Sequence, residues 1–280
     1  MLKAREGLAV RILFSASAAF LSGCLFCAAA PAGADMPADA RALTAAYPDA
    51  GMVLVQRGDG LYIRFGRQTL LFSPAAGCPE VKPEMWPETW PENLADPPLC
   101  VLFAQAYPSG SGGRFPQPGF DPGRIRNEAL LRLLYGRDSK SVADNCVTVS
   151  FLGERLLFNK RHGAARALSR VAARLEELAR DPDVRDWLRP VAGTFSWRKI
   201  KASSRLSAHS FGIAIDLNKD RGLYWLWHPS PAAVERVRCE YPQAILDAFE
   251  SEGFIWGGKW HSFDFMHFEY RPELHVPASK

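Results

Sequence analysis

Two short stretches in the last third of the chain alternate with a period of two, and each has a histidine and a carboxylate close by. From Gly212 to Leu217, the residues Ile213, Ile215 and Leu217 fall on one side, and Gly212, Ala214 and Asp216 on the other. From Phe265 to Tyr270, Phe265, His267 and Glu269 share a side. Successive side chains of a strand point to opposite faces. Both stretches therefore predict strands with one face in a core and the other small-sided and polar, in an antiparallel sheet. A helix would scatter the same residues round its axis.

The rest of the chain surrounds this pair with a mixture of elements. Leu61, Ile63 and Phe65, then Gly66-Arg67, then Leu70 and Phe72 predict a β-hairpin. Glu128 to Tyr135 predicts a helix and Val147 to Phe151 a strand. Between Gly163 and Asp181-Pro182, the residues Leu168, Val171, Ala172, Leu175 and Leu178 recur at helical spacing, with Arg166, Arg170, Arg174 and Glu177 elsewhere round the wheel. Those arginines read as a solvated face rather than a patch for an anionic polymer. Pro242 to Glu252 predicts a helix that stops at Gly253.

Two loop-like stretches interrupt the pattern. One runs from Cys78 to Cys100, where Trp86-Pro87-Glu88 is echoed by Trp90-Pro91-Glu92, and the other is the Gly- and Pro-rich run from Pro108 to Gly123. The expected class is α+β: a small antiparallel sheet flanked by helices, preceded by a β-hairpin and a loop-rich extension. The expected division is a leader over 1–34, the extension over 35–123 and a chemistry-bearing domain over 124–280.

The N-terminus has the layout of a secretory leader: Lys3, Arg5 and Arg11, an apolar run from Ile12 through Ala30, and Ala32-Gly33-Ala34 before Asp35. Leu21-Ser22-Gly23-Cys24 also reads as a lipoprotein box, in which Cys24 would carry lipid. Either way the expectation is export to the periplasm or cell envelope, with membrane contact only through the leader or that lipid. An uncleaved anchor helix is a third reading.

Four cysteines follow the leader, namely Cys78, Cys100, Cys146 and Cys239, an even number for an oxidising compartment. Cys78 with Cys100 is the favoured pair, because it closes a loop with little else to hold it. No Cys-x-x-Cys pair follows the leader, which removes the case for a zinc knuckle or a thioredoxin-like site. Of the formal charge of +4, half belongs to Lys3, Arg5 and Arg11 set against Glu6. What remains is too balanced to predict a nucleic-acid partner.

The chemistry-bearing residues gather around the two strands. Ser207-Ala208-His209-Ser210-Phe211-Gly212-Ile213-Ala214-Ile215-Asp216 sets a histidine seven residues before a carboxylate, and Asp264-Phe265-Met266-His267 sets another three residues after one. A catalytic zinc takes three protein ligands and keeps a position for water, whose pKa it lowers to about 7. His209, Asp216 and His267 supply such a set. A further carboxylate, off the metal, has to carry the water's proton to the leaving amine, and Asp264 is placed for that. Trp256-Gly257-Gly258-Lys259-Trp260 reads as a Gly turn framed by aromatics that could wall a cleft. No Gly-x-Ser-x-Gly elbow occurs, so a serine hydrolase has no support.

The two segments, Ser207-x-His209-x-x-Gly212-x-Ala214-x-Asp216 and Asp264-x-x-His267-Phe268, resemble the zinc D-alanyl-D-alanine carboxypeptidases and L-alanyl-D-glutamate endopeptidases of the VanY-like group. The resemblance runs from about Thr194 to Glu273. It implies Zn²⁺ on His209, Asp216 and His267, Asp264 as catalytic base, and peptidoglycan stem peptides as substrate. It also implies an arginine at the scissile carbonyl, for which Arg198 and Arg205 are the candidates. Ser207 is expected to orient a ligand or substrate, Glu269 to be a partner of His267 or a surface residue, and His261 to reach the cleft. His162, His228 and His275 are read as surface or core histidines. Asp121-Pro122-Gly123-Arg124 is compatible with the group but receives no role. The rival class is a zinc-containing wall-binding module without turnover, against which the intact Asp264 counts.

Overall fold

Four antiparallel strands build the platform on which the histidines and carboxylates converge. The computed structural model describes residues 36–80, 96–200 and 203–275. It begins with helix α1 (Ala38–Ala46) and a three-stranded meander, β1 (Met52–Arg57), β2 (Gly60–Phe65) and β3 (Gln68–Pro74). The predicted hairpin is β2–β3. The strand β1 escapes the alternation rule because Met52 to Val55 is continuously apolar.

Helices α2 (Glu128–Tyr135) and α3 (Ser139–Asn145) follow, then the hairpin β4 (Cys146–Phe151) and β5 (Glu154–Asn159). Each helix has a side-chain start signal. Asn127 accepts from the Leu130 N–H, and Asp138 forms a reciprocal capping box with Ser141. Helix α4 (Ala164–Leu178) buries Leu168, Val171, Ala172 and Leu175 against β4 and a later helix, and it leaves Arg166, Arg170 and Arg174 exposed.

After α5 (Pro182–Leu188) come β6 (Val191–Gly193) and β7 (Ala214–Leu217), then α6 (Pro231–Glu240), α7 (Gln243–Glu250), β8 (Phe254–Trp256) and β9 (His267–Tyr270). The sheet order is β6-β7-β9-β8. The predicted pairing of the two alternating segments is the β7–β9 ladder, with Asp216 opposite His267, Ile215 opposite Phe268 and Ala214 opposite Glu269. One face is apolar: Phe268 stacks on Phe249 of α7 at 3.9 Å between ring centres. The other face carries Asp216, His267 and Glu269.

The predicted β7 starts two residues late, because Ala208–Phe211 forms a 3₁₀ turn ended by Gly212 at φ 65°. A β-carbon on Gly212 would come within 2.9 Å of the Cys146 sulfur, so this tight return needs glycine. One buried apolar cluster takes in Leu43 of α1, Ile63 of the meander, Leu168 of α4 and Phe268 of β9.

A disulfide joins Cys78 to Cys100, while Cys146 and Cys239 carry free thiols. The leader with Cys24 and the Trp86–Glu92 echo lie outside the described residues. Closing a loop of this length restricts the unfolded chain by about 3 kcal/mol. Replacing Cys78 and Cys100 together by serine is expected to lower unfolding free energy by about that amount. Denaturant melts of the oxidised protein and the double variant check it, and a change below about 0.5 kcal/mol would mean that other contacts hold the loop.

Candidate metal centre

The 3₁₀ turn before β7 fixes His209. Ser207 caps the turn by accepting from the His209 N–H, and Ser210 ties it to the neighbouring segment, where its Oγ donates to the Arg198 carbonyl at 2.8 Å. The ring of His209 is held at both ends. Nδ1 lies 2.6 Å from the Thr194 carbonyl, and Nε2 lies 3.1 Å from Asp216 Oδ1. His267, directly across the ladder from Asp216, puts its Nδ1 3.1 Å from the same Oδ1 and its Nε2 2.9 Å from Glu269 Oε2. Single ligand atoms of His209, Asp216 and His267 all lie within 4.8 Å of one another. Both rings are buried, and the Asp216 side chain keeps 19 % exposure.

The outer contacts settle the tautomers. A carbonyl and a carboxylate can only accept, so His209 carries its proton on Nδ1 and His267 on Nε2. The two inner nitrogens then aim lone pairs at a carboxylate oxygen. Three acceptors facing each other in a buried place need a cation or an extra proton between them. Without a metal the proton takes that role: burial works against a charged His267 ring, but Asp216 and Glu269 raise its pKa to about 9. Burial likewise opposes ionisation of Asp216, yet the two imidazoles hold its carboxyl well below the usual range. Two imidazole nitrogens and one carboxylate oxygen are a donor set that suits a divalent transition metal.

Glu269 is the anchor beneath the cluster. It is fully buried, and Arg126 grips both its oxygens while Arg271 donates to Oε1 at 3.0 Å. Burial would raise its carboxyl, but the Arg126 charge and the His267 contact hold it well below the carboxylate range. Arg271 continues the chain to Glu273 at 2.5 Å, and Glu273 accepts from the Tyr47 hydroxyl at 2.6 Å. A line of buried charges thus runs from the end of α1 to a candidate ligand.

Asp264 lies just before β9, pinned through its backbone. Its N–H donates to the Gly257 carbonyl at 3.0 Å, and it bridges to Tyr224. Its Oδ1 is buried and has no hydrogen-bond partner. Burial, then the charge of Asp216, push its pKa up to about 6. An unpartnered carboxylate oxygen beside a ligand cluster can receive a proton from water.

The remaining sequence candidates are placed as follows. Arg198 is exposed, and its side chain has no hydrogen bond or ion pair among the described residues. Its backbone is fixed next to the His209 turn, with N–H to Ser210 Oγ at 2.9 Å. Arg205 is half-buried and donates to the Arg126 carbonyl at 2.9 Å; burial and then the charges of Arg126 and Arg124 bring its guanidinium down to about 10. Ser207 caps the His209 turn, and Glu269 touches His267.

His261 and His228 are exposed. His162 packs edge-on against Tyr47 and Tyr135, and His275 spans Ser109 and the Phe254 carbonyl. Trp256 does not wall a cleft: it is fully buried against Tyr241 and Phe268, because β8 is an edge strand whose side chains enter the core. Trp260 is also buried, with its ring 5.8 Å from that of His267. Arg126 and Arg271 have no signal in the local pattern. Arg124 had one, the Asp-Pro-Gly-Arg run, which carried no role.

Residues 201–270 match the model of a peptidase family described as D-alanyl-D-alanine carboxypeptidase. This is the VanY-like family that the two motifs resemble, a metal-dependent and peptidoglycan-acting one, and the match spans His209, Asp216, Asp264 and His267. No curated protein matches the chain. No solved structure matches it either.

If Glu269 fixes the His267 tautomer, Glu269→Gln is expected to weaken metal binding roughly 10- to 100-fold. It should also cost about 3–5 kcal/mol of stability by leaving Arg126 short of its charge partner. Competition with a chromogenic chelator, read beside a denaturant melt, checks both; wild-type metal affinity in the folded variant would remove Glu269 from the centre.

Proposed function

We propose that the chain is an exported, zinc-dependent peptidase that hydrolyses peptide bonds in peptidoglycan stem peptides. The bond is of the D-Ala-D-Ala carboxypeptidase or L-Ala-D-Glu endopeptidase type. One observation carries the reading: within the family-matched segment, three lone-pair donors converge beside a carboxylate oxygen that nothing else satisfies. His209, Asp216 and His267 would hold the zinc. Bound there, the ion would supply Lewis-acid activation of water and of the scissile carbonyl.

The chain's own residues carry the rest. Asp264, with its raised pKa and free Oδ1, takes the proton of the attacking water and passes it to the leaving amine. Glu269 and the Thr194 carbonyl hold the two imidazoles in the tautomers that binding requires. Arg198, exposed beside the His209 turn, is the better of the two arginines for the carbonyl oxygen, because Arg205 is turned toward the Arg126 backbone. The leader over 1–34 supports action outside the cytoplasm, with the wall as partner. A wall-binding module without turnover would have no use for an unpartnered Asp264.

The two carboxylates separate by role. Asp216→Ala is expected to lose zinc, and Asp264→Asn to keep zinc and fold while turnover drops by roughly 10²- to 10⁴-fold. Metal stoichiometry and mass spectrometry of digested muropeptides read both, and the mass lost identifies the bond. Wild-type turnover in Asp264→Asn would place the base elsewhere, and full activity of metal-free protein would end the zinc mechanism.

A further inference from the structure

The Asp121-Pro122-Gly123-Arg124 turn is fixed to the segment around Asp264 residue by residue. Asp121 accepts from the Ser262 N–H at 2.8 Å and from its hydroxyl at 3.1 Å. The Pro122 carbonyl accepts from Trp260 Nε1 at 2.7 Å, and the Gly123 carbonyl from Arg271 at 2.9 Å. Gly123 sits at φ 78°, and a β-carbon there would come within 2.6 Å of both Ile255 and Leu274. Such a turn fixes the place from which its last side chain starts.

That side chain is Arg124. Its Nη1 donates to the Ser262 carbonyl at 2.6 Å, and its charge acts on the nearby Tyr224 hydroxyl. The guanidinium lies over the Trp260 ring at 5.1 Å and over the Trp225 ring at 6.0 Å. Both neighbours lead to the metal cluster: Trp260 packs beside His267, and Tyr224 bridges to Asp264. Arg126 is neutralised by Glu269, but no carboxylate pairs with Arg124 among the described residues. A half-buried, immobilised guanidinium with uncommitted N–H groups is a site for an anion, and its planar fork fits a carboxylate.

We propose that Arg124, held between Trp225 and Trp260, binds the free C-terminal carboxylate of the peptide and so selects the terminal bond for cleavage. This rests on the peptidase reading given above, and it makes the site a carboxypeptidase rather than an endopeptidase. Asp264 acts on the peptide bond while Arg124 holds the end of the leaving residue. The two charges serve different atoms of one substrate.

The test uses the zinc-loaded mature protein and two matched ligand pairs, each a free acid and its C-terminal amide. One pair is an N-acylated Lys-D-Ala-D-Ala peptide, read by hydrolysis. The other is N-acetyl-D-alanine, read by tryptophan fluorescence, since Trp225 and Trp260 flank the guanidinium. The wild type is expected to favour both acids over the amides. Arg124→Gln should raise KM for the acid peptide and weaken N-acetyl-D-alanine binding at least about tenfold, the scale of a charge-assisted hydrogen bond. Any loss on the amides should be smaller than on the acids. Arg124→Lys, which keeps charge without the fork, should fall between, and it replaces the Gln variant should that one fail to fold.

Equal handling of acid and amide by the wild type overturns the proposal. So does an equal loss of kcat on acid and amide in Arg124→Gln, which would tie the residue to Asp264 instead. Acid-selective binding that depends on Arg124, without hydrolysis of either peptide, supports the anion site and refutes the peptidase reading alone.

Discussion

Asp216 Oδ1 faces only the lone pairs of two imidazole nitrogens, and much of the structure follows from that. The ladder places it directly opposite His267, and a seven-residue return through the 3₁₀ turn brings His209 to the same oxygen. Like partial charges do not collect in a buried place unless something positive joins them. The protein keeps the arrangement by satisfying each imidazole from outside, at Thr194 and at Glu269. What is left in the middle is a demand for a cation, built into the backbone register.

Holding Glu269 in place has its own cost, since a buried carboxylate is tolerable only if paired. Arg126 and Arg271 provide the pairing, and Arg271 draws in Glu273 and Tyr47. The end of the N-terminal helix is thereby linked to the sheet by the Tyr47–Glu273 hydrogen bond as well as by the shared apolar cluster. The Asp121–Arg124 turn is locked to the loop before Asp264 by its own contacts, and Arg271 ties it to Glu269 as well.

The strands and the candidate ligands were legible in the sequence because they obey a local rule. Ile213, Ile215 and Leu217 against Asp216, and Phe268 against His267, follow the period of two, and pairing the segments leaves the polar faces on one side. Helix α4 was legible from the helical spacing of its apolar residues. Strand β1 was not, since a continuously apolar run has no period to read. Trp256 was misread for a related reason: a Gly-framed tryptophan looks the same whether its ring enters a core or lines a cleft.

By itself the sequence determined which residues could share a strand face, which cysteines could close a loop, and that two histidines and two carboxylates lay at spacings suited to a metal. These are short-range properties, set by the geometry of a few consecutive peptide units. Only the tertiary structure decided which nitrogen of each imidazole faces inward, that Glu269 is an anchor rather than a surface residue, and that Arg124 stands by Asp264 while Arg205 turns away. Those outcomes depend on partners such as Arg126 and Glu269, 143 residues apart. A tautomer or a buried charge is chosen by whatever group folding brings to it, and no local pattern encodes that group.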